Sequence, residues 1–112
     1  MIKVGILGAE TAAAGELIRI LINHPDVALK TVASESEAGR DVASLHRGLV
    51  GDIDMTVSPS LVCAGHEVVF LCGEPWMARN WMHHNDAEAR ECDLKVIDLT
   101  GAFRDGSMDM VY

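Results

Sequence analysis

The hydrophobic positions of the chain fall into short runs separated by polar segments. Ile2 to Leu7 is a near-continuous apolar run that stops at Gly8, and Glu67 to Cys72 (EVVFLC) is a second such run. Runs of this kind are typical of strands that are buried on both faces of a parallel sheet. Two further strands are predicted at Val27 to Ala33 and at Asp93 to Thr100 (DLKVIDLT).

Between these runs the hydrophobic period changes from that of a strand to that of a helix. Apolar residues spaced about 3.6 apart predict a helix from Ala13 to Asn23. Pro25 ends this helix, because the residue before a proline avoids the α region. A second helix is predicted from Trp76 to Met82 or beyond, with Pro75 near its first turn, where proline is tolerated. Two weaker segments are Val42 to Val50 and Ile53 to Val57, the latter alternating like a strand.

The order of these elements, β-α-β-(α)-β-β-α-β, defines the fold class. It indicates an α/β protein with a Rossmann-like, doubly wound parallel sheet in three layers. The 112 residues suffice for one domain only, because a typical domain has roughly 100–150 residues. The sequence ends at Tyr112 without an obvious closing element. We therefore expect residues 1–112 to be a single domain and a fragment of something longer.

Composition narrows the classes of partner. Asp and Glu outnumber Lys and Arg by 17 to 9, a formal net charge of −8. This balance argues against a nucleic-acid or anionic-membrane surface, since both need clustered cations. No apolar run approaches the roughly 20 residues that cross a bilayer. Three cysteines, Cys63, Cys72 and Cys92, are an odd number with no C-x-x-C pair, which favours free thiols in a reducing cytoplasm.

The turn after the first strand is a candidate anion site. Gly5 and Gly8 bracket the end of that strand, and a helix N-terminus follows, where free backbone N–H groups favour an anion. The region is kept small by Ala9, Ala12, Ala13, Ala14 and Gly15, as close approach of a pyrophosphate requires. Gly8 alone could also simply make a tight βα turn. Glu10 opposes a bound pyrophosphate, because its carboxylate would repel the phosphates.

The end of the second strand carries signals for both nicotinamide dinucleotides. An acid about 20 residues past the glycine turn accepts from the ribose 2′-hydroxyl of NAD, and Glu35 lies 20 residues past Gly15. Ser34 and Ser36 flank it, and their hydroxyls can donate to the 2′-phosphate of NADP. A solvated loop capped by serines is the alternative without a cofactor.

Several stretches resemble N-acetyl-gamma-glutamyl-phosphate reductase, a member of the semialdehyde dehydrogenase group. The most specific are AGELIRILINHP, ending at Pro25, and the IDLT-x-x-FR pattern that ends at Arg104. The other stretches are the start of the chain from Ile2, SESEAG from Ser34, LHRGLVG from Leu45, VVFLC from Val68, and the final Val111-Tyr112. The similarity covers the whole chain but only the first part of such an enzyme.

The resemblance implies an NADP-binding domain from an enzyme of arginine biosynthesis. The family reduces an acyl phosphate to a semialdehyde with NADPH, through a thioester on a catalytic cysteine. That cysteine and the catalytic histidine lie beyond the end of this sequence, so we expect no catalytic residue here and no activity from this chain alone. A C-terminal catalytic domain is the implied partner. In this family that domain builds most of the assembly, so the resemblance leaves open whether this chain forms a homo-oligomer.

The family's cofactor positions can be carried over residue by residue. The pyrophosphate loop corresponds to Gly5, Gly8, Ala9, Glu10, Thr11, Ala12 and Ala13, and the loop near the adenosine ribose to Ser34, Glu35 and Ser36. Cys72 and Gly73 lead into the segment that passes the nicotinamide, and Thr100 is the small hydroxyl residue after the last strand. Arg104 is placed near the substrate. The expected cofactor is NADP rather than NAD, and no metal ligands are expected.

Departures from the family pattern are concentrated at the same positions. Thr11 and Ala12 replace a Gly-Tyr pair, Pro75-Trp76 replace His-Gly, and Ala102 replaces an acidic residue. A glycine permits a positive φ that is costly for threonine. The chain is therefore either the cofactor domain of such a reductase or a degenerate Rossmann-type binding or interaction module without catalysis.

The second interpretation predicts an exposed apolar patch, formed by Trp76, Met77, Trp81 and Met82. Plain core packing of that helix is the alternative. A phosphoacceptor receiver domain has a similar architecture, but it requires an acidic cluster at the strand ends. The first strand ends in Leu7-Gly8 with only Glu10 nearby, which excludes that class.

Overall fold

The computed structural model describes residues 1–46 and 53–100. These residues form four strands and three helices. The strands are β1 (Ile2–Leu7), β2 (Val27–Ala33), β3 (Val68–Leu71) and β4 (Lys95–Asp98), and the helices are α1 (Ala12–Ile22), α2 (Val42–Leu45) and α3 (Pro75–Glu91). None of these helices is both long and apolar enough to cross a membrane.

The strands form one parallel sheet in the order β2-β1-β3-β4. Leu7 pairs with both Ala33 and Leu71, and Leu71 pairs with Asp98. The carboxyl ends of the four strands therefore lie level along one edge. The chain winds outward from β1 to β2 and then from β3 to β4, so its direction reverses between β1 and β3. The α/β class and the doubly wound parallel sheet expected from the sequence are confirmed.

Hydrophobic packing on both faces of the sheet produces three layers. Ile6 belongs to one buried cluster with Ile18 of α1, whereas Leu71 belongs to a second cluster with Trp81 of α3. Phe70 packs against the first cluster although it is adjacent to Leu71, because successive strand side chains point to opposite faces. Burial on both faces explains why the strands are continuous apolar runs.

The predicted strand from Ile53 to Val57 is wrong. Thr56 makes one isolated antiparallel bridge with Asp41, and the following Ser58 makes one parallel bridge with Ala33. The segment is extended and buries Val57, which explains its alternating pattern. Single bridges do not build a ladder, so it adds no strand to the sheet.

The remaining boundaries differ modestly from those predicted. The first predicted helix is confirmed within one residue at each end, and the second extends from Pro75 to Glu91 with the proline as its first residue. Both later strands are shorter than their apolar runs. The segment from Val42 to Val50 gives a helix only at Val42–Leu45, and residues 47–52 lie outside the described residues.

Candidate functional site

The sequence-predicted cofactor residues lie mainly along the carboxyl edge of the sheet. The strand order determines the spatial order of these residues along the edge. Ser34 follows β2, Gly8 follows β1, Gly73 lies after β3 and Thr100 lies after β4. The crevice at the switch point between β1 and β3 is where open α/β sheets bind ligands. The loops after β1 and β3 therefore flank the candidate ligand crevice.

The loop from β1 to α1 is fixed by its own backbone. Gly8 has a φ of +94°, a conformation that is open to glycine and strained for other residues. The amides of Gly8 and Ala9 both donate to the carbonyl oxygen of Ala33, at 2.9 and 3.1 Å. These two amides are therefore used to hold the loop against β2.

Thr11 caps the N-terminus of α1. Its hydroxyl donates to the carbonyl oxygen of Gly8 at 2.9 Å and accepts from the amide of Ala14 at 3.2 Å. Its φ is −78°, so the strain that its replacement of a glycine could have caused is absent. Threonine here is a good helix cap and closes the turn on itself.

The first turn of α1 presents the donors that an anion needs. Within the described residues, the amides of Ala12 and Ala13 have no hydrogen-bond partner, and both residues are exposed. They point from the positive end of the helix dipole, where phosphate groups are stabilised. The exposed Glu10 lies immediately before them and contributes the opposing charge.

The loop from β3 to α3 lies directly against the β1–α1 loop. A Cβ placed on Gly8 would lie 2.4 Å from the amide nitrogen of Gly73, and a Cβ on Gly73 would lie 2.6 Å from Sδ of Met77. The amide of Cys72 donates to the carbonyl oxygen of Leu7 at 2.8 Å. The two loops thus form one closely packed floor at the switch point.

The loop after β2 presents two hydroxyls and a carboxylate. Ser34 is buried, and its Oγ lies 3.2 Å from Oγ of Ser36. Its amide donates to the carbonyl oxygen of Ser58 at 2.9 Å, which fixes the start of the loop. Glu35 and Ser36 are exposed.

A cleft of about 560 Å³ opens between this loop and α3. Four predicted cofactor residues line it: Glu10, Ser34, Glu35 and Ser36. The opposite wall consists of α3 residues and the segment before β3: Glu74, Trp76, Met77, Asn80, Trp81, His84 and Asn85, with Pro59, Ser60, Leu61 and Val62, and Leu7 at the base. The cleft therefore joins the region predicted for the adenosine ribose to a largely apolar wall.

Two of the predicted contact residues are placed differently from the expectation. Gly5 lies inside β1, paired with Thr31 and Val69, and a Cβ there would lie 2.7 Å from Leu61 and 2.9 Å from His66. Its smallness serves packing within the layers. Ala9 is fully buried, with its amide already bonded. Gly5 and Ala9 are therefore packing residues and are not among the cofactor contacts proposed below.

The end of β4 is held by Asp98. This buried carboxylate accepts from the backbone amide of Thr100 at 2.8 Å and from the Thr100 hydroxyl. The amide of the preceding Leu99 donates to the carbonyl oxygen of Leu71. Thr100 therefore lies beside the end of β3. Arg104 and Ala102 lie outside the described residues.

His46 is a site residue that the sequence argument missed. Its Nε2 donates to the carbonyl oxygen of Ala9 at 2.7 Å, and a Cβ on Gly15 would lie 2.6 Å from its Nδ1. The ring thus packs on α1 where glycine leaves room, and it holds the β1–α1 loop. The LHRGLVG stretch contained this histidine, but its partner is a backbone atom that no side-chain motif reveals.

The two buried thiols are unsuited to nucleophilic chemistry. Burial raises the pKa of Cys72 to about 12, with the nearby Asp98 adding to the effect. Burial also raises the pKa of Cys63 to about 11, with smaller contributions from Glu88 and Cys92. A thiol is nucleophilic as the thiolate, so Cys72 acts as a small core residue at the site floor.

The tryptophan–methionine patch predicted by the second interpretation is formed only in part. Trp81 and Met82 are buried, and Trp81 Nε1 donates to the carbonyl oxygen of Leu61 at 2.8 Å. Trp76 is 62% exposed, and it lines the cleft together with Met77. Half of the expected patch is therefore core.

Residues 3–112 match the sequence model of the semialdehyde dehydrogenase NAD-binding domain. The chain belongs to this family. It is 42% identical over 110 residues to an N-acetyl-gamma-glutamyl-phosphate reductase from Phocaeicola vulgatus, and 39% identical over 107 residues to one from Methanosarcina mazei. These alignments cover 97% and 93% of the chain.

The same fold occurs in an aspartate semialdehyde dehydrogenase from Candida albicans, solved with NADP. The superposition has a TM-score of 0.73 at 21% identity and covers 93% of this chain and 31% of that protein. The alignments with the two reductases cover 33% and 30% of their lengths. The chain of this semialdehyde dehydrogenase domain thus spans about a third of the relatives that it matches.

Proposed function

We propose that the chain is the dinucleotide-binding domain of an NADP-dependent N-acetyl-gamma-glutamyl-phosphate reductase. The observation that carries this proposal is the pair of amides at Ala12 and Ala13, which lie at the switch point of the sheet and have no partner among residues 1–46 and 53–100. Support for the particular reductase is the 42% identity to a protein of that name. When bound, the dinucleotide would supply the hydride that reduces the acyl group.

Along the carboxyl edge of the sheet, different residues are proposed to contact different groups of the dinucleotide. Ala12 and Ala13 would donate to the pyrophosphate, with the Gly8 turn leaving room for it. Ser34 and Ser36 would donate to the 2′-phosphate of NADP, which is the basis for proposing NADP over NAD. The NADP in the Candida albicans structure is further support. Gly73 and Thr100 would lie toward the nicotinamide, and Arg104 toward the substrate.

The reductase activity would need a second part of the enzyme. Among the described cysteines, Cys63 and Cys72 are buried. Cys92 is exposed, but it lies at the C-terminal end of α3, away from the loops of the candidate site. The thiol nucleophile would therefore come from a C-terminal domain. We therefore expect no turnover of an acyl phosphate by this chain with NADPH. Measurable turnover in a spectrophotometric assay would contradict the assignment of the thiol nucleophile to a C-terminal domain. The odd number of cysteines supports a cytoplasmic location.

Binding of the dinucleotide can be tested by deleting one amide donor. Ala12 is the first residue of α1, where proline is tolerated, and the extended Thr11 before it (φ −78°, ψ 153°) is compatible with a following proline. Ala12→Pro therefore removes the N–H without breaking the helix. Ala12→Ser keeps the amide and is the matched control.

We expect Ala12→Ser to bind each dinucleotide, NADPH or NADH, with about the same dissociation constant as the unmodified chain in calorimetric titrations. Ala12→Pro should bind both at least about tenfold more weakly, which is about 1.4 kcal/mol for a lost charge-assisted hydrogen bond. Circular dichroism would check that the helices persist. If the folded chain binds neither dinucleotide at millimolar concentration, the non-catalytic interaction module is the better interpretation.

A further inference from the structure

His46, which follows the last residue of α2, contacts both α1 and the loop before it. Its Nε2 lies 2.7 Å from the carbonyl oxygen of Ala9. A carbonyl oxygen only accepts hydrogen bonds, so Nε2 carries the proton and donates it. The ring lies over Gly15, where an added Cβ would be 2.6 Å from Nδ1 and 2.9 Å from Cε1. The ring is therefore packed against α1 while it holds a peptide group of the loop.

This hydrogen bond fixes the orientation of the peptide between Ala9 and Glu10. No peptide bond among the described residues is cis, and in a trans peptide the C=O and N–H bonds point in opposite directions. The amide of Glu10 is therefore turned away from the His46 ring. Within residues 1–46 and 53–100 this amide has no hydrogen-bond partner. It is an unused donor on a peptide whose orientation His46 determines.

The Glu10 amide extends the group of free donors at the start of α1. The amides of Ala12 and Ala13 are also without a partner among the described residues, whereas the amide of Thr11 donates to the carbonyl oxygen of Gly8 at 3.1 Å. A donor that is already oriented binds an anion without the cost of ordering it. Reversal of the peptide before Glu10 would instead present its carbonyl oxygen, which repels an anion.

We propose that His46 is a positioning residue for the pyrophosphate of the dinucleotide, because it directs the Glu10 amide to donate together with those of Ala12 and Ala13. The proposal rests on the function proposed above. His46 acts without touching the dinucleotide, since its ring lies on the side of the peptide opposite to the N–H. NADPH and NADH share the pyrophosphate, so a change at His46 should alter both affinities by the same factor.

A matched pair of variants separates the hydrogen bond of His46 from the packing of its ring. His46→Gln and His46→Met introduce unbranched side chains of similar length. Only glutamine carries an N–H donor, at the same number of bonds from Cβ as Nε2 of histidine. Each folded variant is titrated with NADPH and NADH by calorimetry, and its stability is measured by urea unfolding.

We expect His46→Gln to bind both dinucleotides nearly as well as the unmodified chain. His46→Met should bind both roughly three- to tenfold more weakly, as expected for the loss of one hydrogen bond. Equal affinities in the two variants would show that the histidine only packs, which would overturn this proposal and leave the proposed function standing. Absence of binding by the folded, unmodified chain would overturn both.

Gly15→Ala tests the same link from the side of α1. The added Cβ must displace the His46 ring, although alanine favours a helix more than glycine does. Gly15→Ala should therefore weaken dinucleotide binding while the helix content in circular dichroism is kept. In His46→Met, where a flexible side chain can yield, Gly15→Ala should cause no further loss. Additive losses in the double variant would contradict the proposed role of His46.

Discussion

Gly8 and Gly73 bring the two loops of the switch point into direct backbone contact. A Cβ on Gly8 would lie 2.4 Å from the amide nitrogen of Gly73 and 2.7 Å from its Cα. Real Cβ atoms do not approach backbone this closely, so one loop would have to move. The shape of the site floor therefore depends on the absence of a single side-chain atom.

Gly8→Ala should destabilise the chain through both backbone strain and steric overlap. The φ of +94° disfavours alanine by about 1–2 kcal/mol, and the contact with Gly73 adds to this. Gly39→Ala is the control, because Gly39 has a φ of +88° with nothing within 4 Å of its added Cβ. We expect the urea midpoint of Gly8→Ala to fall clearly below that of Gly39→Ala. Equal midpoints would show that the loops separate without cost.

The Thr11 hydroxyl should stabilise α1 and the loop before it. Thr11→Val keeps the shape of the side chain but removes both the bond to the carbonyl oxygen of Gly8 and the cap on Ala14. The expected loss in the free energy of unfolding is about 1 kcal/mol, typical of a lost N-cap. Thr11→Ser preserves the hydroxyl and should lose much less. A Thr11→Val variant as stable as Thr11→Ser would contradict the capping role.

Burial on both faces is the reason why much of the fold could be predicted. The apolar runs ending at Leu7 and at Cys72 are long enough to identify strands without knowledge of their partners, and parallel pairing then places their carboxyl ends at one edge. The segment from Ile53 to Val57 misled the prediction because alternation reports burial of alternate side chains. It does not report whether a neighbouring strand completes a ladder.

The candidate site was predictable in outline and not in its atomic contacts. The loops that carry Glu10 and Ser34 could be placed because they follow strands. The placement of Gly5 depended on Leu61 and His66, which are distant in sequence, and the role of His46 depended on a backbone carbonyl. Such contacts follow from tertiary packing, which a local motif does not encode.

The two tryptophans should differ sharply in their effect on stability. Trp81→Phe leaves the buried carbonyl oxygen of Leu61 without its donor and removes core volume, so the free energy of unfolding should fall by about 1–3 kcal/mol. Trp76→Phe alters a side chain that is 62% exposed, and it should change stability by less than about 0.5 kcal/mol. Urea unfolding followed by circular dichroism measures both. Similar losses for the two variants would contradict the assignment of Trp81 to the core.

Alkylation should distinguish the cysteines by exposure. In the folded chain at pH 8, iodoacetamide should modify the exposed Cys92, while the buried Cys63 and Cys72 should react only after denaturation. Peptide mass spectrometry gives the rate at each site. A Cys72 that is labelled as fast as Cys92 would show that the site floor opens readily.

The raised pKa values of the buried thiols should make stability fall in alkaline solution. Cys72 is held protonated up to about pH 12 in the folded state and Cys63 up to about pH 11, against an ordinary value of 9.0. Below pH 9 both states keep these protons, so the thiols cause no pH dependence. Above pH 9 the unfolded chain releases them first, which favours unfolding. Urea midpoints should therefore change little between pH 8 and pH 9 and decline between pH 9 and pH 10, and the decline should be less steep in Cys72→Ala because one of the two thiols is gone. An equal decline in Cys72→Ala would mean that other groups cause the alkaline loss.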